Sequence, residues 1–337
     1  MKVKALLRGC KAGSIQTVGT MSVIPLLSDI IDDRFVSPVK AKFETRNYGH
    51  MGFENTESGK ILIVPLNVGY VTDKKAQDHA MCTAGVVKNK KTYQNAVCIQ
   101  QNQGGTVPLN VYDFMILPWA LRENAVALRS EGSYSKLWDS ISRYNSTYGL
   151  QARGHIDDFL NKFKNELDLF VAEFEVVPKQ VGAIFLINGT VFGIERTPSY
   201  KYFSEIFKAL VRECYGSVAI QLSKGIKVVE GVEYNFRHPV EGSVGTLSDI
   251  EDALKYANDK MDEAAKSVVR DVIGEEVFFE AEGQQKEEDL DISTVGNSKY
   301  NGQVILEGED KPVYVSLFAR KDYLKNQKWY KAKEFEI

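Results

Sequence analysis

Gln180–Gly216 reads QVGAIFLINGTVFGIERTPSYKYFSEIFKALVRECYG. Val181–Ile187 is an apolar run of strand length, and Thr190–Glu195 is a second one. Between them, Asn188-Gly189 is the dipeptide that tolerates positive φ at both central positions of a tight hairpin turn. Thr197-Pro198 then reads as a helix N-cap followed by proline at the first helical position. Phe203, Ile206, Phe207, Leu210 and Cys214 recur at helical spacing, which gives that helix one buried face, and Gly216 is the expected stop. An antiparallel hairpin leading directly into an amphipathic helix points to the α+β class.

Upstream, Leu169–Val177 alternates acidic and apolar residues and reads as a strand. Two helices precede it. Ile156–Leu167 aligns Ile156, Phe159, Leu160, Phe163 and Leu167, and Tyr134–Asn145 aligns Leu137, Trp138, Ile141 and Tyr144. The first part of the chain reads mainly as strands: Val23–Leu27, Ile61–Leu66, Ala96–Gln100 and Phe114–Leu117. Pro25 and Pro65 interrupt two of these, and proline's missing amide donor places each at a strand end, edge or bulge. Downstream, a helix begins near Thr246 or Ser248 with Ile250, Leu254, Ala257, Met261, Ala264 and Val268 on its apolar face. Gly283–Asp291 (GQQKEEDLD) reads as a polar linker, and the strands Gln303–Glu307 and Pro312–Arg320 follow.

The expected architecture is a curved, mostly antiparallel sheet covered by helices, with a smaller C-terminal α+β region. The expected division is a body of residues 1–240 and an acidic region of residues 241–337. The latter holds 22 acidic and 13 basic residues, a balance of −9, which leaves +6 for residues 1–240 of a total of −3. A basic body suits an anionic ligand; two solvated surfaces of different sign explain the same numbers. The tail Lys321–Lys333 interleaves basic residues with Tyr323, Trp329 and Tyr330, which reads as a contact patch or as an ordinary basic terminus.

A hydrophobic fraction of 44% in 337 residues suffices for a substantial core. The near-neutral total argues against nucleic acid as a partner. No apolar run approaches the roughly 18 residues of a membrane span. Met1–Gly9 mixes basic residues with short apolar runs, unlike a signal peptide. Cys10, Cys82, Cys98 and Cys214 are widely separated, as free thiols of a reducing, cytoplasmic compartment would be. No metal site is expected, because His50, His79, His155 and His238 are scattered; His155-x-Asp157-Asp158 is explained by acidic residues at a helix start. No cofactor is expected either, since no GxGxxG, GxxxxGK[ST], GxSxG or HExxH occurs.

The unusual stretch is Tyr93–Thr106, YQNAVCIQQNQGGT. Its carboxamides donate and accept hydrogen bonds without charge, which suits recognition of a nucleobase edge, a ribose or an amide. The paired glycines allow close approach of backbone to a ligand. Gln94, Asn95, Cys98, Gln100, Gln103, Gly104 and Gly105 are therefore candidate ligand-binding residues. Trp119 and Arg122, in LPWALR, join them as groups that could stack on a base and pair with a phosphate. The plainer alternatives are a polar surface loop and a core tryptophan. Cys98 would be a nucleophile only with His79 or His155 beside it, and otherwise a small buried residue.

The hairpin QVGAIFLINGTVFGIE with the helix YKYFSEIFKALVREC, together with VIPL at Val23–Leu26 and YQNAVCIQ at Tyr93–Gln100, resembles the ARPP-1 type domain, over roughly residues 15–222. That family is named for association with ADP-ribosylglycohydrolases and rhodanese/phosphatase proteins. The resemblance implies the biology of ADP-ribose or NAD-derived nucleotides, within conflict between phage and host. Where the family pattern has Cys-x-Glu followed by Gly-Arg-Trp, this chain has Cys98-Ile99-Gln100 and then QNQGG. Loss of an acid there removes a general acid/base and favours binding over catalysis. The expectation is binding, and sequestration, of a nucleotide-like small molecule. The alternatives are an enzyme processing such a nucleotide and a viral structural or host-interaction protein working through protein contacts, with a homo-oligomer left open.

Overall fold

The structure, a computed structural model, describes residues 1–45, 47–72, 78–102, 113–130, 134–225 and 247–331. It is α+β, built on one open antiparallel sheet. Nine strands run from the pair Lys11–Ala12 and Gln16–Val18, both on Met21–Leu27, through Gln180–Ile187 and Thr190–Arg196, to Lys311–Ala319, Tyr300–Glu307, Leu290–Gly296 and Phe278–Glu287. The Asn188-Gly189 hairpin forms as read, with φ of 48° and 73° at its two corner residues.

The hairpin is apolar throughout because both faces of the sheet are covered. Ala183, Phe185, Ile187 and Phe192 join the core beneath Trp119–Ala127, Trp138–Thr147, Ile156–Lys162, Lys164–Ala172 and Tyr200–Ala209. Ile184, Leu186, Val191 and Ile194 face the other way, onto Val3–Leu6 and the long helix Leu247–Gly274. Alternating side chains thus feed two cores, at about 25 cal/mol per Å² of apolar surface removed from water.

Several expectations are corrected. Pro25 sits in neither an edge strand nor a strand end. It lies where the outer neighbour of its strand changes from Gln16–Val18 to Lys11–Ala12, so the missing amide falls between two short ladders. Leu169–Ala172 is helical, within Lys164–Ala172; Leu167 is the fully buried residue of this helix, and Phe170 and Val171 of the expected strand pack against the core only partly buried. The cap of the hairpin's helix is Ser199, whose hydroxyl accepts from the Tyr202 amide at 3.2 Å. Gly216 does not stop that helix. The chain passes through a π-helical turn, Leu210–Tyr215, and continues as Gly216–Gly225. A Cβ on Gly216 would lie 2.3 Å from the Val211 carbonyl oxygen, so glycine is there for close packing beneath the wide turn.

Gly283–Asp291 is not a linker. Phe278–Glu287 and Leu290–Gly296 form a hairpin across Glu288-Asp289, both with positive φ, and Leu254, expected on the buried face of the long helix, is 49% exposed. The meander of residues 278–319 extends the main sheet, because Lys311–Ala319 pairs with Thr190–Arg196. The C-terminal tail packs back as well. Trp329 is buried, and its indole N–H donates to the Thr190 hydroxyl at 2.9 Å.

The described strands between Phe35 and Ile116 form three small sheets. One pairs Phe35–Val36, Ile61–Val64 and Gly85–Val87; another pairs Ala41–Glu44, Met51–Asn55 and Lys90–Tyr93. The third orders Val97–Cys98, His79–Ala80, Val68–Val71 and Asp113–Ile116. An aromatic core of Phe43, Phe53, Tyr70 and Tyr93 holds them, with Phe43 stacked on Tyr70 at 4.0 Å.

Candidate functional site

The Gln-rich segment is pinned by its backbone. Ala96 N–H donates to Gly49 O, Cys98 to Tyr134 O, Ile99 to Asp78 O and Gln101 to Gly154 O, at 2.7–3.0 Å. Gln100 also bridges His155. Four distant parts of the chain therefore meet on the six residues Ala96–Gln101, and these main-chain groups are engaged by folding. The side chains differ. Gln100 is buried, and its amide donates to Asp157 at 2.8 Å. Asn95 donates to Arg129 O at 2.9 Å, and its side-chain carbonyl accepts no hydrogen bond among the described residues. Gln101 accepts from Gly154 N–H at 3.1 Å, and its amide nitrogen makes no hydrogen bond among the described residues. Gln94 is exposed. Gln103, Gly104 and Gly105 lie outside the described residues.

An aromatic ladder borders this segment, and no periodicity in the sequence announces it. Tyr48 stacks on Tyr134 with centroids 4.8 Å apart and planes at 29°, and Tyr134 meets Trp138 edge-on at 5.8 Å. Tyr48 is 54% exposed. Gly49, at φ +74°, turns the chain so that Tyr48 faces outward while Gly49 O holds Ala96. A Cβ on Gly154 would lie 2.7 Å from the Trp138 Cβ, so glycine lets the tryptophan seat against the turn that also holds Gln101. The signal that could have found the ladder is local: Tyr48 and Gly49 precede the Met51–Asn55 strand, and Tyr134 begins the segment leading to Trp138.

His79 does come beside Cys98, as its cross-strand partner. A nucleophilic dyad does not follow. The His79 Nε2 accepts the Gly49 N–H at 3.0 Å, so the nitrogen that would take the thiol proton is occupied. The Cys98 thiol donates to Gln100 O at 3.2 Å, and burial pushes its pKa up. The Trp138 N–H lies close enough to the sulfur to oppose that shift, though it forms no hydrogen bond of ordinary geometry. Cys98 is thus held as a buried thiol. His155 is half-buried; burial first and Arg153 second push its pKa down, so it is neutral near pH 7. Asp158 is taken bidentately by Arg153, at 2.6 Å for each bond. Among the described residues no group of His, Cys, Asp and Glu has the arrangement of a metal site.

Among the described residues, Trp119 and Arg122 form no hydrogen bond or ring contact with the Gln-rich segment. Both lie inside, on the sheet-facing side of Trp119–Ala127, at 2% and 0% exposure. The Trp119 indole donates to Ala319 O at 3.0 Å and packs on Phe192. Arg122 donates to Glu195 at 2.8 Å, Tyr215 at 3.1 Å, Ser316 at 2.5 Å and Asn67 at 3.3 Å, and lies over the Phe318 ring. Burial disfavours its cation, but Cys214, Glu195, Tyr215 and Tyr314 together outweigh burial and hold its pKa above the ordinary value. Sequence alone could not tell which face of a short helix carries these residues.

An open antiparallel sheet with helices on both faces, flanked by an aromatic–carboxamide corner, defines an α+β protein. The chain belongs to the family of the ARG and Rhodanese-Phosphatase-superfamily-associated Protein domain, ARPP-1, whose model matches residues 9–318. The match runs well past the 15–222 of the sequence resemblance, and its far end falls in Lys311–Ala319, the strand that pairs with the central hairpin. No curated protein and no solved structure matches the chain. No helix among the described residues is long and apolar enough to cross a membrane.

Proposed function

We propose that this chain binds a nucleotide-like small molecule, an ADP-ribose or NAD derivative, at the corner formed by Tyr48, Tyr134, Gln94, Asn95 and Gln101. The observation that carries the reading is the ladder. An exposed tyrosine stacked on a second aromatic, beside carboxamides with open valences, is what a nucleobase needs: a π-surface for its face and uncharged donors and acceptors for its edge. The family's association with ADP-ribosylglycohydrolases supports the choice of ligand. The occupied Nε2 of His79 and the protonated thiol of Cys98 favour holding the ligand over transforming it. Sequestration of such a nucleotide, in conflict between phage and host, is the biological role consistent with a binder.

The test is calorimetric titration and thermal shift with ADP-ribose, NAD and cyclic nucleotides, followed by chromatography of the recovered ligand. Binding should raise the melting temperature by mass action, and the ligand should return unchanged. Tyr48→Ala should weaken binding by about 1–3 kcal/mol, the usual worth of one base–aromatic stack, without lowering stability appreciably, because Tyr48 is largely exposed. No shift across the panel overturns the proposal. A converted ligand replaces binding with catalysis.

A further inference from the structure

A cavity lies at one edge of the large sheet, beside Lys11–Ala12. It is a half-open groove of about 500 Å³ between the first ten residues and the C-terminal half of the long helix. Leu7, Leu26, Val269 and Ile273 form its apolar surface, with Ala5 and Ala12. Lys2, Lys4 and Arg8 line it as well, and among the described residues no acidic one does. Arg8 makes an exposed pair with Asp310 at 3.0 Å, whereas neither Lys2 nor Lys4 forms an ion pair among the described residues. Cys10 is in the wall beside Arg196, and burial pushes its pKa up, so it adds no negative charge.

The apolar surface continues past the groove. Ile30 Cδ1 would lie 2.8 Å from a Cβ on Gly9, so a side chain larger than hydrogen at Gly9 would separate Ile30 from the groove. Ile30 and Ile31 are 56% and 72% exposed, which prolongs the track over the surface. The carboxylates flanking these isoleucines are already engaged, Asp29 with Lys179 and Asp32 with Arg34, while Asp33 stands at the surface.

We propose that this groove binds an anionic amphiphile, a carboxylate carrying an aliphatic chain. The unpaired ammonium groups of Lys2 and Lys4 receive the carboxylate, and Leu7, Leu26, Val269 and Ile273 receive the chain. Charge complementarity selects the head group, because Lys2 and Lys4 bring to the lining two ammonium groups that form no ion pair among the described residues. The volume suits a small molecule: it falls within the roughly 300–1,000 Å³ of small-ligand sites. The apolar surface also disfavours a free phosphate or another fully hydrated anion.

The experiment is displacement of anilinonaphthalene sulfonate from the full chain by laurate and, separately, by dodecanol. Laurate should displace the dye at concentrations ~10-fold lower than the alcohol, as expected of a charge-assisted contact. Lys2→Glu with Lys4→Glu should remove that ~10-fold preference and leave dodecanol unaffected. Both lysines are exposed, so this variant should fold. Ile273→Asp should abolish displacement by both, with circular dichroism to verify folding. Equal potency of acid and alcohol, insensitivity to the lysine substitutions, or no displacement by either overturns the proposal.

Discussion

The centre of the large sheet and the Gln-rich corner contain similar polar groups, but the protein fills their hydrogen-bonding valences to different degrees. Around Arg122, the donors reach Glu195, Tyr215, Ser316 and Asn67, and the guanidinium plane is covered by Phe318. Arg122 is fully buried, so its guanidinium is not open to a ligand from the surface. At the corner, among the described residues, the Gln101 amide nitrogen and the Asn95 carbonyl form no hydrogen bond, and Tyr48 has an exposed ring. The difference teaches that type of side chain does not distinguish a polar core from a recognition surface. What distinguishes them is whether folding itself satisfies the group.

The sharpest way to break this comparison is to open the closed network. Arg122→Ala leaves Glu195 buried without its cation, and should cost about 3–5 kcal/mol. The shift of the urea midpoint at unchanged slope reads it. Arg122→Met combined with Glu195→Leu should cost less than Arg122→Ala alone, because no uncompensated charge remains. A cost near zero for the single change would mean that the network is not what holds the helix Trp119–Ala127 to the sheet.

Glu213 sits between the two extremes. It lies in the π-helical turn, 4% exposed, and is paired with Arg212 through one oxygen, while its Oε2 has no partner. Burial raises its pKa from 4.5 to about 7, and Arg212 offsets this only partly. The folded state therefore favours the protonated acid. Its contribution is fully present below about pH 4.5 and is lost as pH rises through about 7. The loss is about 3 kcal/mol across that window, at 1.36 kcal/mol per unit. The stability difference between the wild-type chain and Glu213→Gln, followed from pH 4 to 8 (roughly the span of the two pKa values), should change by that amount. A flat difference would show that Glu213 ionises as an ordinary surface carboxylate.

The hairpin was legible because one short stretch carries its own instructions: Asn188-Gly189 for the turn and uninterrupted apolar strands on either side. Gly216 was misread because a glycine that ends a helix and a glycine that permits close packing look alike in sequence. Residues 283–291 were misread because an edge hairpin with one wet face needs little hydrophobicity. At the corner, the carboxamides were visible as composition, yet the ladder was not. Tyr48 and Tyr134 are 86 residues apart, and only the tertiary fold stacks them. Trp119 and Arg122 illustrate the converse: the residue types suited a ligand, but the fold turned them inward.

The smallest expected effect is also the most discriminating. Gln101→Ala removes one carboxamide whose carbonyl caps Gly154 N–H and whose amide faces no protein partner. If the corner were merely a polar surface, the change would affect stability alone, through the lost Gly154 contact. If the corner reads a base edge, ligand affinity falls too, by about 0.5–1.5 kcal/mol for a neutral hydrogen bond. Gln100→Ala provides the contrast. Gln100 is buried and bonded to Asp157, so its loss should lower stability more than that of Gln101. Calorimetric titration and urea unfolding of both variants give four numbers. A larger affinity loss for Gln100 than for Gln101 would reverse the assignment of which carboxamide holds the fold and which is free to hold a ligand.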